Sequence, residues 1–498
     1  VNYLVIEPAK GEYKNIFGHH PDVTVLGTNP AYTALLRINP FRFPKGVHVL
    51  EHIDRLIEIF NVCWPMYAAM PAVLKDAVLQ AYEVCGWDLV ESKNTVDEDL
   101  FPTFQDLLTE LVDVIDNSAY HNEVKSNYKG SLETRVKSLT NGLNGQIFST
   151  DEIGDKTLFD TKVIIDLSRI GSLETKALIM GILVMRLNEY RMTEHTGMNV
   201  PLKHVTVLEE AHNTLKRTST EQNPEGSNLA GKSVEMLSNA IAEMRTYGEG
   251  FIIADQSPSA VDVSAIRNTN TKIIMRLPDE SDRRFAGKSA ALKDEQLDEI
   301  AKLPKGVAVV YQNDWLEPVL CKVRQFSGSE KPYAYDRYSQ VASANCDKWF
   351  KTELLKLLVK GLVVEQIDID IDEMKENVSV VNLSTKNKIG IHHILNEYGH
   401  TGRLSLWEVV NFEPLSSLIG ELLQSENKVN RFVRESQNFD ELSAKLYSLI
   451  DNQTEDIAKE VCLAVSQCLM KNYSIEGTEN IEVYSAWRET VKKRGSLL

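Results

Sequence analysis

Seven short apolar, β-branched runs recur at residues 3–6, 23–26, 163–167, 205–208, 251–254, 272–275 and 307–311, with helical patterns between them. Runs that are apolar without strict alternation are buried on both faces. Strands of that kind separated by helices build a mostly parallel sheet covered by helices on either side. The fold class expected is therefore α/β, with a mostly parallel sheet. Residues 49–150 interrupt the alternation. Their segments LEHIDRLIEIFNVCW and FQDLLTELVDVI carry apolar residues at three- and four-residue spacing, punctuated by Pro65, Pro71, Pro102 and the glycines near Gly142, and so read as a helical insertion. Residues 217–231 (RTSTEQNPEGSNLAG) are polar without periodicity and read as an exposed loop. After residue 326 the strand pattern fades. GSEKPYAYDRYSQ reads as part of a linker over 326–348, and residues 349–498 as a helical C-terminal region. The strand-bearing core is thus expected over 1–48 and 151–325.

With 498 residues, 43% of them hydrophobic, the chain can bury a large core. No run approaches the roughly 18 to 20 apolar residues that span a bilayer, and VNYLVIEPAK lacks the features of a cleaved leader; a cytoplasmic location is expected. Cys63, Cys85, Cys321, Cys346, Cys462 and Cys468 lie far apart without paired spacing, which suggests neither a disulfide framework nor a zinc site. A net charge of −17 argues against a broadly basic surface, but a DNA channel needs positive charge only locally. The first residue is Val1, and NYLVIE already reads as a buried strand, so the sequence is expected to lack a natural N-terminal portion.

The run VTVLEEAHNTL at residues 205–215 sends an apolar strand straight into two carboxylates and a histidine. In nucleotide hydrolases a buried strand delivers one acid to the shell of a nucleotide-bound Mg²⁺ and the next to the attacking water. Those acids would be Glu209 and Glu210; the plainer alternative is that they cap a helix beginning near Asn213. A second strand, residues 251–254, ends in Asp255 and Gln256. A polar amide there can sense the γ-phosphate or orient the water, because ligands of parallel sheets sit at the C-terminal strand ends. Arg245, Arg276, Arg283 and Arg284 are candidate arginine fingers, Arg245 foremost, or else surface ion pairs. Asp166, ending VIIDLS, has no following Glu and reads as a neighbour strand's acid in a turn. His212 is either an orienting partner of Glu210 or a surface residue. Metal ligation by Cys or His is not expected.

Residues 226–233, GSNLAGKS, match G-x-x-x-x-G-K-[ST]. A working phosphate-binding loop needs an apolar strand directly before it, and KRTSTEQNPE cannot supply one. Lys232 and Ser233 are therefore read as a decoy, with Ser233 or its neighbours opening a helix that runs to Tyr247. The alternative is that Lys232 reaches a phosphate or a neighbouring subunit.

The ordered set NYLVIEPAKGEY, LRINPF, VIIDLS, VTVLEEAH, AEMRTYGEGFIIADQSPS and NTNTKIIMRL resembles the HerA/FtsK superfamily of P-loop motor ATPases, in its HerA-like and VirB4-like branch with the DUF87-type domain. The resemblance covers about residues 2–323. It implies a RecA-like ATPase core of the ASCE class that uses ATP and Mg²⁺, with Glu209 as the Walker B acid acting through water on Mg²⁺, Glu210 as the base, Gln256 as the sensor and Arg245 as the arginine. Glu209 stands where many relatives carry Asp. The resemblance also places the phosphate-binding loop upstream of Val1, which would leave the given chain inactive by itself. The intact protein would then be a homo-hexamer pulling double-stranded DNA through its channel, with a nuclease as a possible partner. Two alternatives remain, a VirB4-like secretion or conjugation ATPase and a non-hydrolysing scaffold or regulatory subunit.

Overall fold

The computed structural model describes all residues except 195, 196, 198, 199, 218–228, 329, 336–340, 360–368, 382, 405, 407–409, 476 and 494–498. Its strands are β1 (Asn2–Glu7), β2 (Val23–Gly27), β3 (Ala34–Leu35), β4 (Trp87–Asp88), β5 (Lys93–Asn94), β6 (Lys162–Asp166), β7 (His204–Glu209), β8 (Glu249–Ala254), β9 (Thr271–Ile274), β10 (Val307–Gln312) and β11 (Val319–Lys322). Six of them form one sheet in the order β3-β2-β6-β1-β7-β8, and every pairing in it is parallel. The central strands are the most apolar: Leu4, Val5 and Ile6 of β1 and Val163, Ile164 and Ile165 of β6 are at most 4% exposed. The α/β class, with a parallel sheet and added helical regions, is the one the sequence pattern implies. The sixth and seventh apolar runs depart from that pattern. They form β9 and β10, which join β11 in a separate antiparallel sheet of order β11-β10-β9. Residues 313–318 connect β10 to β11 too briefly for a parallel crossover.

The chain divides into two compact units. The first comprises Val1–Glu83, Trp87–Lys93 and Pro102–Arg337 and contains the six- and three-stranded sheets and most of the helical insertion. Its helix Leu173–Glu194 is buried nearly all round, a pattern with no polar face to signal it in the sequence. The three buried charged residues on this helix are paired, as burial requires. Arg186 bonds Glu152 and Asp155, Glu189 bonds His52 and Arg55, and Arg191 bonds Glu249 and Asp160. At Gly181 the helix Val49–Cys63 comes so close that an added Cβ would lie 2.8 Å from the Ile59 side chain.

The second unit, Val84–Gly86, Asn94–Phe101 and Tyr338–Leu498, is helical. Its apolar core includes Leu354, Ile391, Leu446 and Trp487, and the Trp487 indole donates to Ser443 at 3.0 Å. Within the expected linker, the Lys331 and Tyr333 amides donate to the Asn15 carbonyl and side chain, so this stretch is tied to the first unit. Residues 218–228 of the expected polar loop lie outside the described residues. No described helix is long and apolar enough to cross a membrane.

Candidate active site at the carboxyl edge of the sheet

The site begins with a buried lock at the opposite end of the same strands. Glu249, the first residue of β8 and 1% exposed, accepts from the His204 ring at 2.8 Å, the Thr206 hydroxyl at 2.8 Å and the Arg191 guanidinium at 3.0 Å. Both His204 and Thr206 belong to β7. A buried carboxylate satisfied by three donors cannot slip register cheaply, and the register that follows is His204 opposite Glu249 through Glu209 opposite Ala254. Glu210 therefore leaves β7 just where Asp255 and Gln256 leave β8.

Side chains alternate along β7. His204, Thr206 and Leu208 are buried, whereas Val205, Val207 and Glu209 are half-buried. Tyr13 and Val207 both pack against the cluster of Val5, Val25 and Ile164, and Tyr13 donates its hydroxyl to Glu209 Oε1 at 2.5 Å. Burial, and then this bond to Glu209, push the Tyr13 phenol upward, so it remains a donor at any ordinary pH. Glu210 has φ 47° and ψ 52°, a left-handed conformation that costs an L-residue roughly 1–2 kcal/mol. It turns the chain at once into the short 3₁₀ segment Ala211–Asn213, and no α-helix starts at Asn213. One oxygen of Glu210 accepts from Gln256 Nε2 at 2.7 Å. The other lies 3.6 Å from His212 Nδ1, which is itself 2.8 Å from Asp255 Oδ2.

The loop after β1 supplies more charge to this edge. Glu7, the last residue of β1 and buried, accepts from the Glu12 and Tyr13 amides at 2.7 and 3.2 Å; burial raises its pKa. Asp166 ends β6 as a buried ion-pair member, not as a solvated turn acid: it binds Lys14 and accepts from the Ser168 amide at 2.9 Å. Burial alone would raise the Asp166 pKa, but Lys14 and Ser168 together hold it below the usual carboxylate range. Between these acids the backbone is left-handed at Lys10 and Gly11. At Gly11, with φ 70°, a Cβ would meet Lys14 Nζ at 2.6 Å and Asp166 Oδ2 at 3.0 Å, so any other residue there is strained. The sequence marked the loop's EPAKGEY run but no role for Glu7, Tyr13 or Lys14; acids ending two neighbouring apolar runs were the available signal.

The structure thus brings Glu209, Glu210, His212 and Gln256 together. It does not bring Arg245 to them. Arg245 is exposed and precedes β8, at the far end of a strand that rises about 17 Å to Gln256. Arg283 bonds the Pro278 carbonyl and Arg284 lies 3.6 Å from Glu280, while Arg276 is exposed beyond β9. In the GKS segment, residues 226–228 are not described. Helix Leu229–Glu243 begins before Lys232; Lys232 is exposed, and the buried Ser233 hydroxyl donates to Glu58.

As ligands, Glu209 and Glu210 offer hard oxygens of the kind Mg²⁺ takes. Among the described residues only Tyr13 bonds the Glu209 carboxylate, and its second oxygen accepts from none of them. Atoms of Glu210, His212 and Asp255 also lie within 4.8 Å of one another.

No family model matches the chain. The DNA double-strand break repair helicase HerA of Sulfurisphaera tokodaii is 23% identical over 301 residues, which are 57% of this chain and 57% of that protein. HerA of Pyrococcus furiosus is 27% identical over 169 residues, 34% of this chain and 28% of its own. The "Probable helicase MJECL08" of Methanocaldococcus jannaschii is 21% identical over 352 residues, 66% of this chain and 61% of its own. The chain therefore spans less than two thirds of each of these relatives. Among solved structures, VirB4 of Thermoanaerobacter pseudethanolicus superposes with a TM-score of 0.47 at 15% identity, covering 66% of this chain and 82% of that one. The unbound conjugative coupling protein TrwB gives 0.43 at 12%, covering 67% and 81%. In sequence, at 21–27% identity, the chain is thus similar to the HerA repair helicases and to a probable helicase.

Proposed function

We propose that the chain is the ATP-hydrolysing part of a HerA/FtsK-type motor that translocates or unwinds double-stranded DNA. The observation that carries this reading is the emergence of Glu209, Glu210 and Gln256 side by side from two adjacent parallel strands, with the Gln256 amide bonded to Glu210. In this reading Glu210 accepts the proton of a water as its oxygen bonds to the γ-phosphorus. The bond to the bridging oxygen breaks, and its electron pair leaves with ADP. Gln256 holds one Glu210 oxygen and leaves the other to face the water. Glu209 would hold Mg²⁺ through a water molecule, and the ion would supply positive charge to offset what develops on the phosphates.

The phosphate grip is assigned to a further strand, loop and helix paired with the free side of β8. Among the described residues β8 pairs only with β7, and its Ile252 is 53% exposed, as befits an edge awaiting cover. Arg245, at the far end of β8, is assigned to a nucleotide held by a neighbouring subunit of a homo-hexamer. Helicase names among the relatives support DNA as the substrate, and a partner nuclease belongs to the same proposal.

The test is ATP turnover by the full-length protein with and without duplex DNA. DNA should stimulate turnover, and Glu210→Gln should bind ATP normally while losing about 10²–10⁴-fold in rate. Near-normal turnover in Glu210→Gln would mean that another group is the base. Turnover indifferent to DNA, in a protein that co-purifies with a membrane secretion complex, would replace the translocase reading with a secretion motor. No turnover at all would favour a scaffold.

A further inference from the structure

Glu210 is a charged residue held in a conformation it would not adopt unaided, at φ 47° and ψ 52°. Something must hold it there. Asn213 contributes two bonds to the Glu210 carbonyl, from its amide at 3.0 Å and its side chain at 2.7 Å. The remaining anchors converge on one carboxylate, that of Asp255, whose side chain is 5% exposed. Asp255 Oδ2 accepts from the His212 backbone amide at 2.9 Å and lies 2.8 Å from the His212 ring Nδ1. Its Oδ1 accepts from the Ser257 amide at 2.8 Å. Asp255 therefore clamps the backbone and the ring of a residue two positions from Glu210, and ties the turn after β7 to the turn after β8.

We propose that Asp255 and His212 form a positioning pair that keeps Glu210 aimed at the attacking water. This rests on the ATPase reading of the site. An ionised Asp255 offers no proton, so a ring nitrogen 2.8 Å away bonds it only by donating. The proton then sits on Nδ1, and Nε2 carries the lone pair. With its ring so held, His212 stands 3.6 Å from Glu210 Oε2, beyond a hydrogen bond but close enough to wall off that side of the carboxylate. Gln256 holds the other oxygen at 2.7 Å. The carboxylate is thus confined from both sides, and among the described residues Oε2 is left without a donor of its own, which is what a base needs. Neither Asp255 nor His212 has to touch substrate. Their effect passes through Glu210, and it depends on the β7/β8 register that the buried Glu249 enforces at the other end of the strands.

Two measurements on the full-length protein test the pair. In steady-state ATP hydrolysis, Asp255→Ala and His212→Ala should each lower kcat about tenfold with the ATP KM within about twofold, since partners that orient a reacting group typically carry factors of 10 to 100. His212→Asn should restore most of the rate, because its amide nitrogen falls near the place of Nδ1 and can still donate to Asp255. A residue that only packs would not distinguish asparagine from alanine in this way. The second measurement is the histidine tautomer by ¹⁵N NMR of selectively labelled protein at about pH 8, above the ordinary imidazole pKa. His212 should carry its proton on Nδ1, and Asp255→Ala should move it to Nε2. Full activity in both alanine variants while Glu210→Gln is inactive would overturn the pair, and so would a wild-type His212 protonated on Nε2. If the wild-type protein hydrolyses no ATP, the ATPase reading fails and the catalytic role of the pair with it, while the tautomer still decides whether the Asp255 clamp exists.

Discussion

The left-handed backbone at Glu210 makes stability and turnover separable by two substitutions at one position. Glu210→Ala and Glu210→Gly both delete the carboxylate and its bond to Gln256, so that loss cancels between them. They differ in the backbone. At φ 47° and ψ 52° alanine retains the Cβ penalty, roughly 1–2 kcal/mol, whereas glycine is relieved of it. Glycine in turn gives the unfolded chain more freedom, which costs about 0.4–1 kcal/mol. The balance leaves the glycine variant more stable than the alanine variant by about 1 kcal/mol. For a unit of this size that is about 2 °C in the calorimetric transition of the sheet-bearing unit. Neither variant should hydrolyse ATP. An alanine variant as stable as the glycine variant, or more so, would refute the strain at Glu210 and with it the need for Asp255 to restrain the turn.

Three further outcomes follow from the same edge of the sheet. Tyr13→Phe removes the bond to Glu209 and leaves that acid without a protein partner among the described residues; we expect about 1 kcal/mol less stability and slower turnover with unchanged ATP binding, read by calorimetry and steady-state kinetics. Asp166, held below its ordinary pKa by Lys14 and Ser168 against the opposing effect of burial, contributes stability that is present above the unfolded-state value of about 4 and lost as pH falls through the folded-state value. Asp166→Asn should therefore flatten the acid limb of the unfolding curve and lower stability at neutral pH, and an unchanged acid limb would dismiss the ion pair. Lys232→Ala should leave the ATP KM and kcat within about twofold of wild type, because Lys232 is exposed within a helix and the polar KRTSTEQNPE before it carries no strand pattern; a loss of phosphate binding in that variant would make GKS a working grip.

The sheet was legible because burial on both faces writes itself into composition. LVI in β1 and VII in β6 need no partner to be recognised as strands. Their order, β3-β2-β6-β1-β7-β8, was not legible, because pairing is non-local and apolar side chains are interchangeable as neighbours. The same limit explains why the antiparallel placement of β9 and β10 was missed: parallel and antiparallel strands share a hydrophobic signature. At the site, Glu209, Glu210 and Gln256 were readable as polar residues that end apolar runs, a local pattern. Asp255 was equally polar and adjacent to Gln256, yet its part depends on which residue of β7 stands opposite it.

That register is settled by Glu249, His204, Thr206 and Arg191, and nothing in GEGFIIA marks the glutamate as buried. The same four residues carry a consequence for function. A shift of one residue between β7 and β8 would point Glu209 to the opposite face and part Glu210 from Gln256, so the active edge depends on a buried polar lock a full strand length away. Glu249→Gln keeps the shape of that lock but puts an amide where three donors converge, including the Arg191 guanidinium. Its damage to turnover should therefore exceed what its distance from the acids alone suggests.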